Sequence, residues 1–292
     1  MKNKVKFLTT ISLAAVLILL SIYHGPPLTP AAAGRSIPGR ECESIGLVLS
    51  GGGAWGLAHI GALEVLDSEG IEVDMISGTS AGAIVGALYA EGYSPAEMQE
   101  IISKLQWSDF IFPTLNDLGF FSIERVEEEL ADFVRTERIE DLPLKFSVTV
   151  TDIDSGEAVS YSEGPLARLL AASASVPILF APVEYQGLLL ADGGMVDNLP
   201  VAPLQRAGMD CIIAVDVAGN FSFTGRPEGM IEYGNRVFNI MRRAMQADPE
   251  VDILIQPDLD GFSGLDFDNY ELLIDRGFEA AVRELELDLS QP

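Results

Sequence analysis

The sequence predicts an α/β fold with a mostly parallel central sheet, and three observations carry that reading. Short apolar runs of strand length alternate with helix-period segments from Ile45 to about Leu285. Two strand-to-helix joints are glycine-rich turns, Ser50-Gly51-Gly52-Gly53-Ala54-Trp55-Gly56 and Gly78-Thr79-Ser80-Ala81-Gly82. Hydrophobic residues make up 48% of the chain and glycine 28 of its 292 residues, a composition that builds a packed core. No internal repeat interrupts the alternation, which disfavours solenoids and propellers.

The leader comes first. Lys2, Lys4 and Lys6 precede an apolar run from about Phe7 to Tyr23, and Ala31-Ala32-Ala33 offers a small-residue cleavage site. Residues 1–33 therefore read as a signal peptide, with an uncleaved membrane anchor as the alternative because the run nearly suffices to span a bilayer. The lysines hold the N-terminus in the cytoplasm, so the chain is expected to be exported and to end periplasmic, secreted or membrane-anchored. Cys42 follows Gly39-Arg40-Glu41, which is no lipoprotein signature. Residues 34–44 read as a polar linker, 45–285 as a single catalytic domain with its motifs within 45–205, and 286–292 as a tail.

Ile45 to Leu49 is a continuous apolar run, as expected of a strand buried on both faces. After the glycine loop, Leu57, Ile60, Leu63 and Leu66 recur at helical spacing, Glu64, Asp67 and Glu69 supply the solvated side, and Gly70 ends the helix. Val73 to Ile76 is a second strand, followed by a helix from Ala81 to Ala90. Further strands are expected at Phe146–Val150, Leu188–Leu190 and Cys211–Val217. Helices are expected near Ile123–Arg135, Pro165–Ala174, Gly234–Gln246 and Tyr270–Leu285. The stretch Phe221 to Gly229 reads as a loop over the active face.

Charge excludes one class of partner. The formal net charge is −26, and it becomes more negative once the leader lysines are removed. Such a surface argues against nucleic acid, whose binding rests on phosphate neutralisation. Cys42 and Cys211 could pair in an oxidising compartment, but two cysteines in a core this size make no disulfide scaffold. The unpaired state is the favoured reading, and whether the two meet is left open by the sequence. No Cys/His cluster exists to hold zinc, and acidic runs such as Glu127-Glu128-Glu129 read as solvated helix faces, so no metal or cofactor is expected.

The turns carry the chemistry. Ser80 stands between a strand and a helix, where Gly78 and Gly82 remove side chains that would clash at a strained elbow. The helix beginning at Ala81 directs its N-terminal dipole at the reacting carbonyl. Gly51-Gly52-Gly53 exposes successive backbone N–H groups that would serve as an oxyanion hole. The same segment also fits the dinucleotide fingerprint G-x-G-x-x-G, though a translocated chain is a poor place for a nicotinamide enzyme. A P-loop fails because no Gly-Lys-Ser/Thr follows. His24 lies in the leader, which leaves His59, inside the helix after the glycine loop, as the sole remaining histidine. It precedes Ser80 and reads as a core residue or a brace for the loop, so the base is expected to be a carboxylate. Asp192 is the candidate: it ends the apolar strand Leu188-Leu189-Leu190 and precedes Gly193-Gly194, which permit a tight turn.

The ordered set Gly51-Gly52-Gly53-Ala54-Trp55-Gly56, Gly78-Thr79-Ser80-Ala81-Gly82 and Asp192-Gly193-Gly194 resembles the patatin-like phospholipases, especially bacterial ones. Ala171 to Pro177, Asn198-Leu199-Pro200 and Asp258 to Gly277 look like the family's flanking segments. The resemblance implies a three-layer α/β/α fold and hydrolysis of lipid acyl esters by a Ser-Asp dyad. Ser80 would be the nucleophile, Asp192 the base, and the Gly51–Gly53 amides the oxyanion hole. The substrate would be a phospholipid or lysophospholipid at a membrane or micelle surface. Trp55 departs from the pattern, since family members usually carry a basic residue there. A carboxylesterase or acyltransferase acting on other esters, or an idle binding protein of the same fold, are the competing readings. The aromatic stretch Trp107 to Phe121 would line an acyl pocket or pack the core.

Overall fold

The computed structural model describes residues 36–104, 113–114, 118–219, 226–227, 229–245 and 249–287. The leader, Trp107, Phe110, Phe112, most of the 221–229 loop and most of the 286–292 tail lie outside the described residues.

Ser36–Ile37 (β1) and Arg40–Glu41 (β2) form a small antiparallel hairpin. The strands that follow are Ile45–Leu49 (β3), Met75–Thr79 (β4), Gly119–Phe121 (β5), Lys145–Asp152 (β6), Glu157–Tyr161 (β7) and Ile178–Phe180 (β8). Val183–Tyr185 (β9), Leu188–Asp192 (β10), Cys211–Val215 (β11) and Ile253–Ile255 (β12) complete them. The helices are Ala58–Ser68 (α1), Ala81–Ala90 (α2), Pro95–Lys104 (α3), Ile123–Phe133 (α4), Leu166–Ser173 (α5), Ala202–Ala207 (α6), Met230–Met245 (α7) and Tyr270–Glu284 (α8).

The main sheet runs β12-β11-β3-β4-β6-β10-β9, with β7 also paired to β6. It is parallel from β12 to β6 and antiparallel where β10, β9 and β7 join. Loop length explains the β6–β7 and β9–β10 joints. Parallel neighbours need a crossover such as α1, whereas β9 returns directly into β10 through Gln186 and Gly187. Both of those residues have positive φ (52° and 83°), the tight hairpin geometry that matches strand twist. The pair β5–β8 is parallel and separate from this sheet.

Alternation along β3 sets up the layers. Ile45, Leu47 and Leu49 join a large core with Leu63 of α1, Val85 of α2, Leu169 of α5 and Ile274 of α8. Val48 instead packs with Met75, Ile212, Ala214, Leu199 and Leu204 of α6. Helices thus cover both faces, and the sheet is the middle of three layers.

Two expectations are corrected at the N-terminal side. Cys42 and Cys211 form a disulfide across a sequence separation of 169 residues. Their meeting follows from register: β3 pairs with β11 so that Ile45 faces Cys211, which brings the residues just before β3 to the start of β11. The stretch 36–44 is therefore no free linker. Arg40 adds ion pairs to Asp210 (2.7 Å) and to Asp252, fastening the hairpin to the same sheet edge.

Candidate active site

Parallel strands deliver their C-terminal ends to one side of the sheet, and ligands of such folds bind there. Ser80 stands between the end of β4 and the start of α2 with φ 52° and ψ −125°, a strained conformation for a residue with a side chain. Its N–H donates to Ser173 Oγ at 2.8 Å, and that hydroxyl donates to the Thr149 carbonyl at 2.6 Å. Its carbonyl accepts from Ala83 and Ile84, which starts α2 at once. A Cβ on Gly82 would lie 2.4 Å from the Leu49 carbonyl oxygen, so only glycine lets α2 lie against the end of β3.

Asp192 closes β10 and is buried. Its carboxylate accepts the Gly194 N–H at 2.7 Å and stands close enough to the Ser80 hydroxyl for that group to lower its pKa. Its backbone is held on both sides: its N–H donates to the Ser175 carbonyl at 3.1 Å, and its own carbonyl accepts from Thr151 Oγ1 at 2.9 Å. Burial pushes the carboxyl up to about 6, against the opposing pull of the Ser80 and Gly194 hydrogen bonds and of the nearby Arg242 charge.

The glycine loop is fastened at both ends. Ser50 carbonyl is met by His59 Nε2 at 2.8 Å, and Ser50 Oγ accepts the Val217 N–H at 3.0 Å. His59 is wholly buried, and desolvation pushes its pKa down to about 4, so it braces the loop as a neutral ring. One expectation about the oxyanion hole needs correction. The Gly51 N–H donates to the Asn198 carbonyl at 3.1 Å and so is spent within the fold. Gly52 and Gly53 donate their N–H groups to no partner among the described residues. Gly53 has φ +59°, and a Cβ there would lie 2.3 Å from the Gly264 carbonyl oxygen, which already receives the Ala54 N–H at 2.8 Å. Trp55 is buried, with its indole N–H donated to the Phe262 carbonyl at 3.1 Å.

The remaining motif glycines serve packing. Gly56 backs onto Ala81, Gly78 onto the first turn of α2, Gly193 onto the Thr149 carbonyl, and Gly194 fits between Asn198 and Asp192. Three contributors were not singled out from sequence for a role: Ser173, Asn198 and Arg242. The segments holding Ser173 and Asn198 are visible in sequence, but which of their atoms faces Ser80 or Gly51 is a matter of long-range packing.

Ser80, Gly53 and Gly56 border a cavity of about 240 Å³ whose other walls are almost entirely apolar. Ile84 and Leu88 of α2, Ile102 of α3, Leu130 of α4, Phe180 of β8 and Phe267 line it. Phe121 lines it too, whereas its neighbour Phe120 points to solvent. A hydroxyl beside a buried carboxylate thus opens onto a channel suited to a hydrocarbon chain.

Comparison with known proteins matches this arrangement to one family. Residues 47–204 fit the family model described as patatin-like phospholipase. The uncharacterized NTE family protein Mb1092c of Mycobacterium bovis is 33% identical over 218 residues, covering 71% of this chain and 59% of that protein. Lysophospholipase NTE1 of Candida glabrata is 38% identical over 185 residues, covering 60% of this chain and 10% of that protein. The chain thus spans less than two thirds of the length of these relatives. Among solved structures, VipD from Legionella pneumophila superposes with a TM-score of 0.62 at 16% identity, covering 92% of this chain and 72% of that one. That likeness shows the shared fold.

Proposed function

Because the chain belongs to the patatin-like phospholipase family, we propose that it is a serine lipid acyl hydrolase working through a Ser80–Asp192 dyad. The observation that carries the reading is the Ser80 hydroxyl beside buried Asp192 at the mouth of an apolar cavity. Asp192 takes the Ser80 proton as Oγ attacks the ester carbonyl. The tetrahedral oxyanion is met by the Gly52 and Gly53 N–H groups and by the N-terminus of α2. Collapse breaks the ester C–O bond, and the leaving alcohol takes the proton from Asp192. Water then gives a proton to Asp192 and attacks the acyl-enzyme, and Ser80 leaves with that proton as the fatty acid departs.

The cavity argues for a long acyl chain in preference to a small ester. The lysophospholipase name of the yeast relative favours phospholipid or lysophospholipid among the possible esters. A lipid aggregate as the working surface is supported by exposed apolar side chains beside the cavity walls: Phe120 and Ile178 on β5 and β8, and Tyr233, Ile240 and Met241 on α7. The two groups adjoin, since a Cβ on Gly234 of α7 would lie 3.9 Å from Ile178 Cδ1. The Cys42–Cys211 disulfide supports residence in an oxidising compartment, in keeping with export.

The test is fatty-acid release from phosphatidylcholine and lysophosphatidylcholine micelles by the wild type, Ser80→Ala and Asp192→Asn. A loss of at least about a hundredfold in both variants is expected. Near-wild-type activity in Asp192→Asn would remove Asp192 from its role. Silence of the wild type on every lipid and short ester would favour the idle binding protein.

A further inference from the structure

The glycine loop carries no charged side chain between Ser50 and Leu57, yet a guanidinium stands directly behind it. Arg242 projects inward from α7 and is 5% exposed. Its Nη1 lies 3.4 Å from the Gly51 carbonyl oxygen and 3.3 Å from Asn198 Oδ1. Asn198 Nδ2 donates to the same Gly51 carbonyl at 3.2 Å. Arg242 Nε and Nη2 are buried and have no hydrogen-bond partner among the described residues. Burying a guanidinium this way costs stability, and a wholly structural role would be served better by an apolar side chain. Asn239, one turn earlier on the same face, is buried as well, while Tyr233, Ile240 and Met241 face out. This helix therefore buries part of its polar face and exposes apolar residues, the reverse of an ordinary surface helix.

The Gly51 carbonyl and the Gly52 N–H are the two ends of one peptide unit. A cation at the carbonyl end draws electron density toward the oxygen and leaves the N–H a stronger donor. Its two contacts are long for hydrogen bonds, so it acts mainly as a fixed positive charge. We propose that Arg242 is a positioning residue for acyl transfer, holding and polarising the Gly51–Gly52 peptide so that its N–H end stabilises the oxyanion. This role rests on the Ser80–Asp192 reading above. The charged groups around the guanidinium are Asp192 and Asp216, both buried, and Arg242 in turn favours the ionised form of Asp192.

The experiment compares Arg242→Lys and Arg242→Met with wild type in kcat, KM and pH profile on lysophosphatidylcholine. Labelling of Ser80 by a fluorophosphonate, whose phosphoryl oxygen seeks the same donors, is measured in parallel. Arg242→Met is expected to lower kcat and the labelling rate by about ten- to a hundredfold with KM little changed. It is also expected to move the acid limb of the profile to higher pH, because Asp192 loses a stabilising cation. Arg242→Lys keeps a charge and is expected to recover most of the loss. The proposal is overturned if both variants keep wild-type kcat and acid limb while Ser80→Ala is inactive. It is equally overturned if activity falls only in proportion to the folded fraction measured by thermal melting. Should Arg242→Met fail to fold, Arg242→Gln, which keeps a donor but no charge, decides in its place: a wild-type acid limb, kcat and labelling rate per folded protein sinks the idea. Activity surviving in Ser80→Ala would overturn the dyad, a result readily told apart from these.

Discussion

Ser173 Oγ accepts the backbone N–H of Ser80 at 2.8 Å while donating its own proton to the Thr149 carbonyl at 2.6 Å. One hydroxyl on α5 therefore ties the strained elbow of β4–α2 to strand β6. Ser173→Ala would take this partner from the buried Ser80 N–H and a donor from the Thr149 carbonyl. The expected outcome is a loss of about 1–3 kcal/mol in denaturant unfolding. A fall in kcat larger than any change in KM should accompany it, because Ser80 is freed to relax from positive φ.

The burial of Asp192 has two consequences of opposite value. Its carboxyl must be ionised to take the Ser80 proton, so kcat/KM should rise with pH through about 6 and level off above. The same upward shift from 3.8 to about 6 means the native state holds a proton that the unfolded chain has lost. Stability therefore falls as pH rises between those values. Asp192→Asn removes that penalty and should raise Tm at neutral pH, by the equivalent of up to about 3 kcal/mol. The gain should vanish below pH 4, where Asp192 is neutral in both states. A Tm unchanged or lowered at neutral pH would show that the carboxylate is better solvated than its surroundings imply.

His59 works the other way. Its folded pKa of about 4 lies below the ordinary 6.5, so the stability it contributes is full above 6.5 and is lost as pH falls toward 4. His59→Gln keeps a donor for the Ser50 carbonyl and cannot titrate. It should retain activity to within about threefold and flatten the acid-side loss of stability. A hundredfold drop in kcat with the fold intact would instead mark His59 as the base.

The Cys42–Cys211 bond closes a loop of 169 residues. Reduction, or paired Cys42→Ser and Cys211→Ser changes, should cost about 5 kcal/mol in the chain-entropy account. Thermal melts with and without reductant measure this, and thiol counting under denaturant should find no free cysteine before reduction.

The outward residues of α7 offer a surface test. Ile240→Glu with Met241→Glu adds charge to exposed positions. Release of fatty acid from micelles should fall by about tenfold, while hydrolysis of a soluble short-chain ester should stay unchanged. Equal loss on both substrates would mean the helix has been disturbed rather than the docking surface.

Local chemistry accounts for what was legible in the sequence. Ile45 to Leu49 reads as a strand because every residue in it is apolar or glycine, and Ala81 to Ala90 reads as a helix to its ends. Strand Ile253–Ile255 and helix Pro95–Lys104 were not anticipated. The first is a three-residue edge, and the second carries its apolar residues among Glu97, Gln99, Glu100 and Lys104. The turns around Gly51, Ser80 and Asp192 were visible because each is a contiguous motif whose backbone demands are written in neighbouring residues.

The sequence by itself determined the α/β class, the order of the main strands and helices, and the family, since periodicity and turn chemistry act within a few residues. Tertiary structure alone decided which distant atoms meet. It paired Cys42 with Cys211 through the register of β3 on β11. It spent the Gly51 N–H on Asn198 and left the Gly52 and Gly53 N–H groups without a partner among the described residues. It turned the polar side of α7 inward, so that Arg242 reached the glycine loop from a position 191 residues further along the chain. An amphipathic pattern names two faces of a helix but not which one is buried, because burial belongs to the neighbours and not to the helix.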